Sequence, residues 1–130
     1  ALVAAAERLG HDYHVGVTLS TDSFYAGQAR PGFEGYEAPG SDDLIETLKN
    51  ANVANIEMEA ATLLTLSNLY DLRAGAVCAV YANRETGAFD TVGERKAAKT
   101  ASLAVALLAE MDAAKTAADV DRWHPGLSIE

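Results

Sequence analysis

Two short stretches of this 130-residue chain bring together side chains suited to chemistry. The first, TDSFYAGQAR, sets Phe24, Gln28 and Arg30 within seven residues. Together an aromatic face, a side-chain amide and a guanidinium make a reader for a small planar polar ring. Phe24 can stack, Gln28 offers both a donor and an acceptor, and Arg30 donates to carbonyl oxygens. The bland alternative is a solvated loop with a buried aromatic anchor. The second stretch is Asn55-Ile56-Glu57-Met58-Glu59-Ala60. Two acids flanking Met58 in apolar surroundings are costly unless paired or used, and a carboxylate there can accept both hydroxyls of a ribose. The competing reading is a helix N-terminus stabilised by acidic residues.

The elements that must position these groups alternate between strand and helix. Ala1 to Leu9 reads as a helix with neither an N-cap residue nor an initiating Met, which suggests either a helix begun upstream or a frayed terminus. From Tyr13 to Leu19 apolar and polar residues alternate with period two, so this segment is expected to be a strand. The Gly-, Pro- and aromatic-rich stretch from Thr21 to Gly40 follows as a long loop, of a length that is often functional. Ser41 is expected to cap a short helix running to Asn50, and Val53 to Ile56 to form a second strand. Met58 to Tyr70 is apolar around most of its circumference and so reads as a buried helix. Leu72 to Ala82 is a nearly unbroken apolar run, the pattern of a strand covered on both faces. A long helix from about Val92 to Ala114 and a polar surface tail through Trp123, His124 and Pro125 complete the chain. In this arrangement both chemical stretches lie beyond the carboxyl ends of strands, where α/β sheets bind ligands.

Composition narrows the partners. With 19 acidic against 10 basic side chains the formal charge is −9, which disfavours nucleic acid. No apolar run approaches the ~20 residues that span a bilayer, and nothing resembles a signal peptide. The acidity is either ordinary solvation or a surface-wide adaptation to high salt. Cys78 is the single cysteine, which excludes an internal disulfide, suits a reducing interior and, at mid-strand, reads as a small buried hydrophobe. The HDYH run lacks a helix to align its ends, so no metal site is expected there.

HVGVTLSTDSFYAGQAR and NIEMEAATLLTLSNLYDLRAGAVCAVYANR, in this order and at this spacing, resemble the uridine-specific branch of the nucleoside phosphorylase family. The likeness covers nearly all of Tyr13 to Arg84 and, more loosely, the helix after it. It implies a three-layer αβα mixed sheet, and it places this chain in the C-terminal half of the single family domain. The sheet is then expected to be incomplete, with exposed edges and apolar faces. It also implies phosphorolysis of uridine to uracil and ribose 1-phosphate, a pentosyl transfer with phosphate as co-substrate and no further cofactor. Phe24 resembles the aromatic that packs on the nucleoside, and Gln28 and Arg30 the pair that reads uracil. Glu57, Met58 and Glu59 resemble the ribose-binding run, Glu59 being the expected partner of the sugar hydroxyls. Tyr81 and Ala82 fall where apolar residues line the base pocket, Tyr81 departing from the usual aliphatic residue. Arg84 either supports the loop or orients the base through water. Purine-specific relatives carry a Ser-Asp pair where this chain reads VYANRETG, which favours uridine.

The family's phosphate-binding segments, its phosphate-touching threonine and the histidine lent by a neighbouring subunit belong to the other half. His11, His14 and His124 do not match that histidine. The likeness further implies a cytoplasmic homo-oligomer, hexameric in the family. Alternative readings are a purine nucleoside phosphorylase, a hydrolase of the same family, and a truncated subunit that only binds nucleoside.

Overall fold

The computed structural model describes residues 1–124, 126 and 127. In chain order the elements are α1 (Leu2–Arg8), β1 (Val17–Ser20), α2 (Leu44–Asn50), β2 (Val53–Glu57), α3 (Ala60–Leu69) and α4 (Glu94–Ala117). Short 3-10 turns lie at Ala26–Gln28 and Phe33–Gly35. The chain divides into two units, Ala1–Tyr13 with the residues from Val92 onward, and His14–Thr91.

In the first unit α1 packs on α4 through Ala5, Ala104 and Leu107, with Leu2 and Leu103 beside them. Alanine favours both helices intrinsically, and its small side chain lets them approach closely. Glu94 in the first turn of α4 and Lys115 in the last complement its dipole. Thr100 donates to the Lys96 carbonyl at 2.9 Å, which leaves its oxygen to accept from Nδ1 of His11 at 3.1 Å. Tyr13 belongs here: its hydroxyl donates to Glu7 at 2.8 Å, and β1 therefore begins at Val17 rather than at Tyr13. Trp123 is 40 % exposed, and Pro125 lies outside the described residues.

The second unit is built on a parallel pair. β1 and β2 align Val17 with Val53, Thr18 with Asn55, Leu19 with Ile56 and Ser20 with Glu57. Ala54 is the residue skipped in this register, a bulge that crowds its side chain against Gly16. A Cβ at Gly16 would stand 2.6 Å from that of Ala54, so any larger residue there forces a shift. Because the strands are parallel, both carboxyl ends open onto the same edge. β1 continues into the loop bearing Phe24, Gln28 and Arg30, and β2 into the Glu57–Glu59 run.

Several sequence expectations are corrected here. Ser41 does not cap α2; its carbonyl closes a turn with the N–H of Leu44 at 3.2 Å, and the cap position falls to Asp43, which makes no side-chain cap bond. Leu72 to Ala82 forms no strand among the described residues, apart from a single antiparallel bridge between Ala82 and Phe89. An apolar run records a need for cover, whereas a strand also needs a partner with open ladder positions. Cys78 in that run is exposed, although its thiol meets the Asn55 side chain. The α3 leucines are likewise uncovered: Leu63, Leu64, Leu66 and Leu69 are 44–70 % exposed, and of this helix only Ala60 is buried.

Candidate active site

The acidic run begins where β2 ends. Opposite it, Ser20 donates its hydroxyl to the Glu57 carboxylate and accepts the N–H of Ala61 at 2.9 Å. The second carboxylate oxygen of Glu57 accepts the N–H groups of Glu59 at 2.8 Å and Ala60 at 2.6 Å. Desolvation raises the Glu57 pKa, but the Ser20 hydroxyl and the two backbone donors outweigh it and hold the carboxyl below its ordinary value. Glu57 and Ser20 thus satisfy three of the orphan donors at the start of α3, those of Glu59, Ala60 and Ala61. Glu59 is exposed, and its carboxylate accepts only a long bond, 3.3 Å, from the N–H of Met58. Of the two acids, Glu59 therefore has acceptor capacity left for a ligand, while Glu57 is spent on the helix. Met58 is 37 % exposed.

The loop after β1 folds back on Tyr25, whose carbonyl accepts the N–H of Gln28 at 3.1 Å and of Arg30 at 2.9 Å. Gly27 lies so near Thr21 that an added Cβ would stand 1.9 Å from its hydroxyl oxygen. Ala29 turns through the left-handed region, φ 49°, a costly conformation for alanine. Gln28 is 7 % exposed. The Arg30 guanidinium lies 4.6 Å from the centre of the Phe24 ring, and Tyr25 meets that ring edge-on at 5.3 Å. One face of Phe24 is thus already taken by the arginine. The Arg30 Nε is buried and has no hydrogen-bond partner within the chain.

Arg84 reaches the same loop. It donates through Nη1 to the Gln28 carbonyl and through Nη2 to that of Ala29 at 3.1 Å. Partial burial, and secondarily the positive charge of Arg30, lower its pKa. An open hollow of about 210 Å³ lies here, lined by Arg30, Ala82, Asn83, Arg84 and Phe89 together with Gly87 and Ala88. No carboxylate lines it, so in a chain of charge −9 this is a locally cationic spot.

The structure thus brings Arg30, Ala82 and Arg84 together around one hollow, with Phe24 and Gln28 against the same arginines. It keeps Glu57, Met58, Glu59 and Tyr81 off that lining. Tyr81 is 40 % exposed and accepts the N–H of Asp90 at 2.7 Å through its carbonyl. Sequence reasoning missed Ser20 and the lining residues Asn83 and Phe89. Ser20 had a signal, a hydroxyl residue closing an alternating strand, and so did Asn83, an Asn four residues before Gly87 at the end of an apolar run. Among the described residues no helix is long and apolar enough to cross a membrane, and no group of three or more His, Cys, Asp or Glu side chains is placed to hold a metal ion.

Residues 1–109 match the phosphorylase superfamily. The chain belongs to that family. A uridine phosphorylase of Thermococcus kodakarensis is 56 % identical over 98 % of this chain and 46 % of its own length. A uridine phosphorylase of Klebsiella aerogenes is 45 % identical over 65 % of this chain and 34 % of its own. A guanosine phosphorylase of Halorubrum lacusprofundi is 38 % identical over 66 % of the chain and 30 % of its own. The chain therefore spans less than half the length of these phosphorylases. Its α/β structure with a small parallel sheet fits that family.

Proposed function

We propose that this chain supplies the base and ribose sites of a uridine phosphorylase. The observation that carries this reading is the buried, unpartnered Nε of Arg30, set beside Phe24 and the nearly buried Gln28. Such a donor is satisfied by a carbonyl oxygen of a planar ring. As phosphate attacks C1′ of the ribose, the glycosidic bond breaks and its electron pair leaves with uracil. Arg30 and Gln28 meet that developing negative charge, and so bind the transition state more tightly than the ground state. Glu59 holds the ribose hydroxyls in register with the attacking phosphate, an effect of orientation. Glu57 acts one step back, fixing the start of α3 from which Glu59 projects. Phosphate is the co-substrate, and the chemistry requires no covalent intermediate on a Ser or Cys.

Phosphate binding and the rest of a three-layer αβα sheet fall to the half of the phosphorylase length that this chain does not span. In the same reading the whole protein is a cytoplasmic homo-oligomer, hexameric as the family resemblance implies, with a surface suited to high salt. The test is calorimetric titration of this chain with uridine, inosine and guanosine in molar KCl, alongside assays for phosphate-dependent base release. We expect uridine to bind best, with no uracil released by these 130 residues alone. Tighter binding of inosine or guanosine would overturn the uracil reading, and the guanosine phosphorylase likeness makes that arm necessary. Release of uracil would place a phosphate site within this chain.

A further inference from the structure

We infer that Asn83 is a positioning residue for base recognition, acting through Arg84; the inference rests on the uridine reading above. The residues after Ala82 form a tight turn, closed by the Ala82–Phe89 bridge. Asn83 organises it with four hydrogen bonds. Its N–H donates to the Ala88 carbonyl at 2.9 Å, and its own carbonyl accepts the N–H of Gly87 at 2.9 Å. Its side-chain oxygen accepts the N–H groups of Glu85 and Thr86, each at 2.9 Å. This Asx arrangement fixes the backbone on both sides of Arg84. Arg84 is thereby aimed at the carbonyls of Gln28 and Ala29, where it pins a loop strained at Ala29. Without that clamp the loop is released from its left-handed turn, and Gln28 and Arg30 lose their fixed placement.

A second tether holds the same turn. Glu85 meets Lys49 of α2 at 3.1 Å, and Lys49 also meets Glu46 at 3.6 Å. The side chains of Lys49 and Glu85 are 48 % and 69 % exposed, and such pairs contribute little and are screened by salt. Asn83 works through neutral hydrogen bonds, which salt leaves in place, so the aiming of Arg84 falls to Asn83 rather than to the ion pair.

The experiment compares the wild-type chain with N83A, N83D and K49A in molar KCl. Rotation of the Arg84 guanidinium is followed by NMR in the ligand-free chain, and uridine affinity and thermal unfolding are measured beside it. N83A is expected to speed that rotation and weaken uridine binding about tenfold, with a loss of a few degrees in Tm, the scale of a lost capping bond. N83D retains the acceptor and should keep slow rotation, while K49A retains the turn and should keep both slow rotation and wild-type affinity. Slow rotation in N83A, or unchanged affinity despite faster rotation, would overturn the inference, as would fast rotation in N83D. If the wild-type chain binds no uridine, the functional reading falls, and the rotation measurement still decides whether Asn83 aims Arg84.

Discussion

Arg30 holds a buried donor that no protein group satisfies, a state that costs on the order of 1–3 kcal/mol and that a bound carbonyl relieves. On the proposed reading, Arg30→Ala in a phosphorylase containing this chain is expected to lower kcat/KM for uridine roughly 10- to 100-fold, the scale of one charge-assisted hydrogen bond. Gln28→Ala should act in the same direction, and unchanged kcat/KM in both variants would remove these residues from base recognition. Glu57 makes a different prediction, on pH. Its folded-state pKa is depressed, so it adds stability above its unfolded value, and that stability drains away as pH falls through the folded pKa. Melting curves between neutral and acid pH should therefore separate the wild type from Glu57→Gln at neutral pH and converge in acid. A constant gap would show that the Ser20 and backbone hydrogen bonds do not distinguish the charged carboxylate from a neutral amide.

At the scale of elements, the close approach of β1 and β2 is the most exposed to substitution. Gly16→Ala would force a Cβ to 2.6 Å from that of Ala54, and because neither atom belongs to a flexible side-chain end, the strands must shift. A loss of about 1–3 kcal/mol is expected, the usual cost of overpacking, readable as a lower denaturant midpoint at unchanged slope. An unaltered midpoint would mean that the bulge at Ala54 relaxes freely. The two strands and the helices were legible because period and turn residues are local properties. Strand β2 extends one residue past the expected Ile56, which is what sets Glu57 opposite Ser20. Three of the failures share one cause. Leu72 to Ala82, Cys78 and the α3 leucines have the composition of covered segments, and cover is supplied by other parts of a protein rather than by the segment itself. That Phe24 and Arg30 lie together was legible from their spacing in one loop, whereas their role, with Gln28, belongs to the proposed function. The contribution of Ser20 to Glu57 was not legible, since it depends on a register between residues 37 positions apart.

On the scale of the whole molecule, two forces oppose each other. A charge of −9 drives copies of the chain apart, while the uncovered leucines of α3, with Leu72, Val77 and Val80, attract. Half-covering a leucine or valine is worth about 1 kcal/mol, so these seven side chains could contribute about 7 kcal/mol on association. Fixing two chains together costs an estimated 4–15 kcal/mol, so the balance lies near zero. At 0.1 M salt the Debye length is about 10 Å and the repulsion persists; at 1 M it shrinks to about 3 Å and the repulsion is largely removed. Sedimentation velocity of the chain at micromolar concentration should therefore show monomer in dilute KCl and a rising average mass in molar KCl. Leu69→Glu, at a position 70 % exposed, should suppress that rise by putting a charge on the attractive face. A tight oligomer already present in dilute salt, and untouched by Leu69→Glu, would mean that polar contacts elsewhere on the chain hold it together. The apolar faces would then play no part in its association.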